Sequence, residues 1–113
     1  MRIEVKGRNF AVDGELRERV EKRFEKVARQ VSDLARLELE LSEERNPAIP
    51  DSQVCEATLY LKGVTLRARE SSGSMQHAIH EVADELTRQV KRHRDKRRAR
   101  RASAKAAPGP AAS

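Results

Sequence analysis

Apolar and polar residues alternate in four short stretches of this chain and recur at helical spacing in two longer ones. Arg2-Ile3-Glu4-Val5-Lys6 alternates with a period of two, as a half-buried strand does, and Gly7-Arg8-Asn9 breaks the pattern. Asp13 is placed to cap a helix. After it, Leu16, Val20, Phe24, Val27 and Val31 recur at spacings of 4, 4, 3 and 4, which predicts an amphipathic helix over 14–31. Leu37, Leu39 and Leu41 alternate with Arg36, Glu38 and Glu40 as a second strand. Asn46-Pro47 through Pro50-Asp51-Ser52 reads as a loop, because prolines and turn formers interrupt any ladder. Cys55, Ala57, Leu59 and Leu61, then Val64, Leu66 and Ala68, alternate with polar residues on either side of Gly63, so strands three and four form a hairpin turning at Lys62-Gly63. Ser71-Ser72-Gly73-Ser74 supplies a loop and a cap. Met75, Ile79, Val82, Ala83, Leu86 and Val90 then form a second helical stripe.

The order is β-α-β-β-β-α. One apolar face per strand and one stripe per helix predict a two-layer α+β domain, a four-stranded sheet with two helices on one face. The other face of the sheet is polar. It carries Arg2, Glu4, Lys6, Glu38, Glu40, Glu56, Thr58, Tyr60, Thr65, Arg67 and Arg69.

Composition narrows the function. The chain has 113 residues, enough for one small domain, and its 37% apolar share is low, so part of it is expected not to pack. The folded part is expected over 1–98, with a tail over 99–113 that is basic at first and then Ala/Pro-rich and disordered. Aromatics are 3%, too few for a module that stacks bases on a sheet face. The single cysteine, Cys55, excludes an internal disulfide and a CxxC metal site. The chain has no apolar run long enough to span a membrane and no signal-like apolar segment after Met1, so it reads as cytoplasmic.

Charge changes the picture most. Residues 1–87 hold 14 Lys and Arg against 17 Asp and Glu, whereas residues 88–113 hold 10 against one. The net charges are −3 and +9. A mildly acidic body followed by a basic segment calls for a polyanion, and nucleic acid fits better than a membrane because no Trp/Phe/Leu face accompanies the basic residues. A solubilising tail is the plainer reading. If the segment after Arg88 is helical, its charge surrounds the helix, and a helix polar all round needs water or an outside partner. Arg67 and Arg69 on strand four, beside Lys62 at the turn, could extend it into a continuous positive groove. Cross-strand pairing with Glu56 would explain them equally well.

Other constellations carry less. His77, His80, Glu81 and Asp84 lie mostly off the Met75/Ile79/Val82/Leu86 stripe, as a solvated helix face would, and their spacing is not that of a zinc protease. Cys55 falls on an apolar strand face, where a small buried hydrophobe is the default. The sequence holds no phosphate-binding glycine loop, dinucleotide fingerprint or nucleophile elbow, and Glu43-Glu44 makes no convincing acid–base pair. The reading is of a protein that is not an enzyme and takes no cofactor, metal or small-molecule substrate.

Several motifs are similar to one known family. They are Ile3-x-Val5-x-Gly7-Arg8-Asn9, Leu16-Arg17-x-x-Val20 with Lys26 later in the helix, and Ala57-Thr58-Leu59 leading to Gly63. The most specific are Met75-x-x-Ala78-Ile79 and Asp84-x-Leu86-x-Arg88-Gln89-Val90-x-x-His93-Arg94-Asp95-Lys96. Over residues 1–98 the chain resembles the N-terminal ribosome-binding domain of the ribosome hibernation promoting factors, which include the ribosome-associated inhibitor protein Y. It departs from their pattern at Ser74 and Gln76, where members usually have Asp and an aromatic residue, and in its longer basic run from Lys96 to Lys105. Ser74 can still cap the helix. The missing ring removes a stacking or packing contact.

The resemblance implies binding to the small ribosomal subunit, through 16S rRNA and neighbouring ribosomal proteins, between head and body. It implies occupation of the decoding region and mRNA channel, steric exclusion of mRNA and A- and P-site tRNA, and inhibition of translation in stationary phase or stress. The implied rRNA contacts are Arg88, Lys91, Arg92, Arg94 and Lys96, with Arg67, Arg69, Arg8 and Lys62. The Ala/Pro-rich end resembles the start of the linker that leads to a dimerising C-terminal domain in long members, and a naturally short form with a ragged tail is the other reading. On either reading this chain is a monomer that joins no two ribosomes. A general double-stranded RNA-binding domain is the alternative, although such domains normally begin with a helix. A third reading is a protein-interaction module that docks a partner on the acidic face from Glu15 to Glu25.

Overall fold

Leu37, Leu39 and Leu41 are buried, while Arg36 and Glu40 between and beside them are exposed, so the two-residue period of the sequence is the two-sidedness of a sheet. In the computed structural model, described for residues 1–46, 48 and 50–106 with side chains to 102, the strands are β1 (Arg2–Arg8), β2 (Arg36–Glu43), β3 (Gln53–Leu61) and β4 (Val64–Ser72). The helices are α1 (Gly14–Arg23), α2 (Glu25–Gln30) and α3 (Met75–Ala106).

The sheet order is β1-β2-β3-β4, with β1 and β2 parallel and the other pairs antiparallel. A parallel pair needs a crossover, and α1 and α2 supply it. The hairpin is tight, as expected: Leu61 pairs with Val64, and Gly63 takes φ +80°, which a side chain would strain. At the end of β1, a Cβ on Gly7 would stand 2.0 Å from the Phe10 carbonyl oxygen, so only glycine lets the chain fold back there.

Asp13 caps α1, its Oδ1 accepting from the Leu16 N–H at 2.8 Å. The helix expected over 14–31 bends at Phe24, which has φ −95° and ψ 8°. The ladder nevertheless passes through it, since the Phe24 N–H donates to the Val20 carbonyl and its own carbonyl accepts from Ala28. Phe24 is fully buried, and packing that ring between sheet and α3 takes precedence over regular helix geometry.

Val20, Phe24 and Val27 join the α3 stripe and the inner faces of β2, β3 and β4 in one core, so the helices cover one face of the sheet as the pattern required. α3 continues to Ala106, and residues 99–106, expected in the tail, are therefore helical. The remainder of the expected tail, 107–113, lies outside the described residues.

Candidate nucleic-acid interface

α3 has two halves of different chemistry. From Met75 to Val90 its apolar stripe is buried against the sheet, and Gln89 Nε2 donates to the Arg67 carbonyl of edge strand β4 at 2.8 Å. That bond occupies a carbonyl that an edge strand would otherwise leave free. Past Val90 no α3 residue through 102 is buried. At 1.5 Å per residue the second half projects roughly 24 Å.

The candidate residues fall into separate groups. Lys91, Arg92 and Lys96 are exposed on the projecting half and make no ion pair among the described residues. Arg88 is engaged: its Nε and Nη2 reach Glu85 Oε2 at 3.2 and 2.8 Å. Hydrogen bonds from Arg88 first, and Gln89 second, hold the Glu85 carboxyl below its ordinary range. Arg94 is half-buried, and its Nε is closed off from solvent with no hydrogen-bond partner.

The sheet residues lie elsewhere. Register places Glu4, Glu38, Thr58 and Arg67 in one row across the sheet, and Lys6, Glu40, Glu56 and Arg69 in the next. Leu66 and Ala68 face the core, so Arg67 and Arg69 point away from the helices. The continuous positive groove expected between them and α3 is therefore not formed, because the sheet stands between the two sets. Arg69 also meets Glu56 at 3.7 Å, the cross-strand pair that the plainer reading anticipated. Arg67 has no ion partner among the described residues. Arg8 lies on the opposite edge strand, β1, across β2 and β3 from β4.

Lys62 joins α3 after all, at a place where no groove was expected. Residues of the α2–β2 link, the β3–β4 turn and α3 enclose a groove of about 780 Å³. Its cations are Arg36, Lys62, Arg94, Arg97, Arg98 and Arg101, and no carboxylate lines it. Arg36, Arg97, Arg98 and Arg101 lie outside the set of contacts expected from the sequence. A signal was present: Val90, Arg94, Arg97 and Arg101 recur at spacings of 4, 3 and 4, so the cations continue the core stripe past the end of the sheet.

The groups with catalytic or metal-binding potential are otherwise engaged. Cys55 is fully buried, and desolvation, with a smaller contribution from Glu56, pushes its thiol up to about 12. A thiol in that state is a poor nucleophile. His77 Nε2 lies 3.4 Å from Glu81 and His80 Nε2 3.2 Å from Asp84, each histidine beside the carboxylate one turn along. Among the described residues no cluster of three or more His, Cys, Asp or Glu is placed to hold a metal, and no helix is long and apolar enough to cross a membrane.

A mixed sheet backed by helices, closed by a long helix whose free half is cationic, defines a small α+β module shaped to meet a polyanion. The chain belongs to the family described as Sigma 54 modulation protein / S30EA ribosomal protein, whose model matches residues 3–98. It is a family of structural and regulatory proteins, not enzymes. A ribosome hibernation promotion factor of Picosynechococcus sp. is 30% identical over 97 residues, covering 85% of this chain and 50% of the relative. The chain thus spans about half the length of that protein. A ribosome hibernation promoting factor of Acinetobacter guillouiae is 25% identical over 99 residues, 83% of this chain and 88% of the relative. Among solved structures, the Protein Y N-terminal domain of Thermus thermophilus superposes with a TM-score of 0.70 at 26% identity, covering 82% of this chain and 99% of that one. A ribosomal subunit interface protein of Coxiella burnetii shares the fold at 17% identity, with a TM-score of 0.68, covering 84% of this chain and 99% of that one.

Proposed function

We propose that this chain is a cytoplasmic, non-enzymatic ribosome hibernation factor. In this reading it binds the small subunit in the decoding region, excludes mRNA and A- and P-site tRNA by occupying their place, and so inhibits translation. The carrying observation is the second half of α3, where Lys91, Arg92 and Lys96 stand exposed and make no ion pair among the described residues, on an arm that leaves the domain. Family membership supports the ribosome as the polyanion.

The arm's outward cations pair with rRNA phosphates, and Arg67 and Arg8 add contacts from the sheet. Arg88 and Arg69 contribute through sites they already share with Glu85 and Glu56. Lys62 and Arg94 take part from the groove side. Phosphate contacts position a protein without reading sequence, so recognition is by shape and backbone. The acidic-face reading loses support, because Arg19 and Arg29 pair with Glu15 and Glu25 on that same surface.

Co-sedimentation with purified small and large subunits, with and without mRNA and initiator tRNA, tests the proposal. Pelleting with the small subunit alone, lost when mRNA and tRNA are bound, is the expected result. Equal pelleting with both subunits, indifferent to tRNA, would reduce the arm to a non-specific RNA binder. Displacement by free duplex RNA would favour a general double-stranded RNA-binding domain.

A further inference from the structure

The inner face of the α3 arm does not share the surroundings of its outer face. Arg94, Arg97 and Arg101 continue the stripe that buries Leu86 and Val90, so they turn towards the domain and not away from it. Opposite them stand Val31, Leu34 and Ala35 of the α2–β2 link and Leu61 at the end of β3. Leu34 is 93% exposed, the one large apolar side chain so exposed among the described residues. The groove therefore has a cationic wall, an aliphatic floor and no carboxylate along its lining.

We propose that this groove is a docking site for a short acidic peptide segment of a protein partner, one carrying a leucine-like anchor between its carboxylates. Charge complementarity sets the sign of the occupant. Arg36 already meets Glu38 at 3.6 Å, but Lys62, Arg94, Arg97, Arg98 and Arg101 have no ion-pair partner among the described residues and call for several negative charges at once, and arginine forks pair with carboxylates in bidentate fashion.

The floor decides the chemical class. Single-stranded nucleic acid needs free rings on which to stack its bases. The lining offers only two rings, the lone imidazole of His93 and Tyr60, and Tyr60 is already occupied. The Arg36 guanidinium lies over its ring, 4.5 Å from the centroid, and its hydroxyl donates to Glu38 Oε2 at 3.3 Å. What remains open is a single imidazole beside an aliphatic floor of Leu34, Val31 and Leu61, and one ring cannot stack a run of bases. An aliphatic anchor flanked by acids fills that floor and meets that wall. The volume also falls within the usual range for ligand sites, roughly 300–1,000 Å³. The inference goes beyond the ribosome-binding reading, which uses chiefly the outer face of the arm.

The test is fluorescence anisotropy of the full chain with three labelled probes at physiological salt. One is a short Asp/Glu peptide with a central pair of leucines. The second is the same peptide with serines for the leucines. The third is an oligouridine of equal charge. The proposal expects the leucine peptide to bind, with affinity falling about tenfold or more for the serine peptide. Leu34→Ser should cost about tenfold for the leucine peptide alone. Because Leu34 is exposed, this variant keeps the core intact. Arg97→Glu with Arg101→Glu should abolish peptide binding. Co-sedimentation of Leu34→Ser with the small subunit should stay at the wild-type level, which separates failure here from failure of the ribosome reading. Equal binding of both peptides, indifference to Leu34→Ser, or an oligouridine that outcompetes the leucine peptide would overturn the proposal.

Discussion

Val90 and Arg94 stand one helical turn apart on the same stripe of α3 and meet opposite environments. Val90 is 2% exposed beneath the sheet, whereas Arg94 overhangs its end with an unpartnered Nε. One continuous helix thus serves as core element and as charged arm. The change occurs where the sheet runs out, at the β3–β4 turn. No linker divides the two parts, so a load on the arm is carried directly by the buried half, and the arm keeps its direction relative to the sheet.

The buried half should govern stability. Leu86 has no exposure and lies in the core cluster. Leu86→Ala should lower the unfolding free energy by about 2–5 kcal/mol in urea titrations, from reduced transfer energy and a residual cavity. Arg92→Ala, on the exposed arm, should change it by less than about 0.5 kcal/mol. Similar values for the two would mean that α3 does not pack in this register.

The arm should govern salt dependence. Removing a phosphate-pairing cation at Lys91, Arg92 or Lys96 should reduce the slope of log affinity against log salt by about one per residue. The measurement is small-subunit binding over a salt series for single and combined alanine variants. A triple variant with the wild-type slope would show that the outer face of the arm does not touch RNA.

Arg67 and Arg69 are two residues apart on one face, yet only Arg69 has a carboxylate beside it. Arg67→Ala should weaken ribosome binding more than Arg69→Ala, since Arg69 must share its charge with Glu56. Glu56→Gln should then strengthen binding, by freeing Arg69. Weakening by Glu56→Gln would mean that the pair acts by holding Arg69 in place.

The architecture was legible because each strand has a single buried face. Leu37, Leu39 and Leu41 fix β2 by their period alone, and Gly63 fixes the hairpin by its backbone freedom. The bend at Phe24 was not legible, because the spacing of apolar residues runs through it unbroken. The mutual placement of the charges was only half legible. Arg67 and Arg69 read correctly as lying on the face the helices leave open, and that placement, with the sheet between them and α3, is incompatible with the shared groove that their charge suggested. The groove that does exist draws Leu34, Lys62 and Arg94 from three distant segments. Only the continuation of the stripe from Val90 to Arg101 hinted at it.

Cys55 yields a prediction about alkaline stability. Burial raises its folded-state pKa to about 12 from an ordinary value of 9.0, so the thiol stays neutral in the folded protein while the unfolded chain ionises first. The stability contribution is complete below the unfolded value and is lost as pH rises from there towards the folded one. In that window the loss should approach about 1.4 kcal/mol per pH unit. The measured quantity is the difference between wild type and Cys55→Ala in urea unfolding across alkaline pH. That difference should be flat at neutral pH and should shift in favour of Cys55→Ala above the unfolded thiol's pKa. In parallel, an aromatic disulfide reagent should label Cys55 only as fast as the protein unfolds. Rapid labelling of the folded protein, or a stability difference flat across the alkaline range, would place Cys55 at the surface, and the β3 register with it would be wrong.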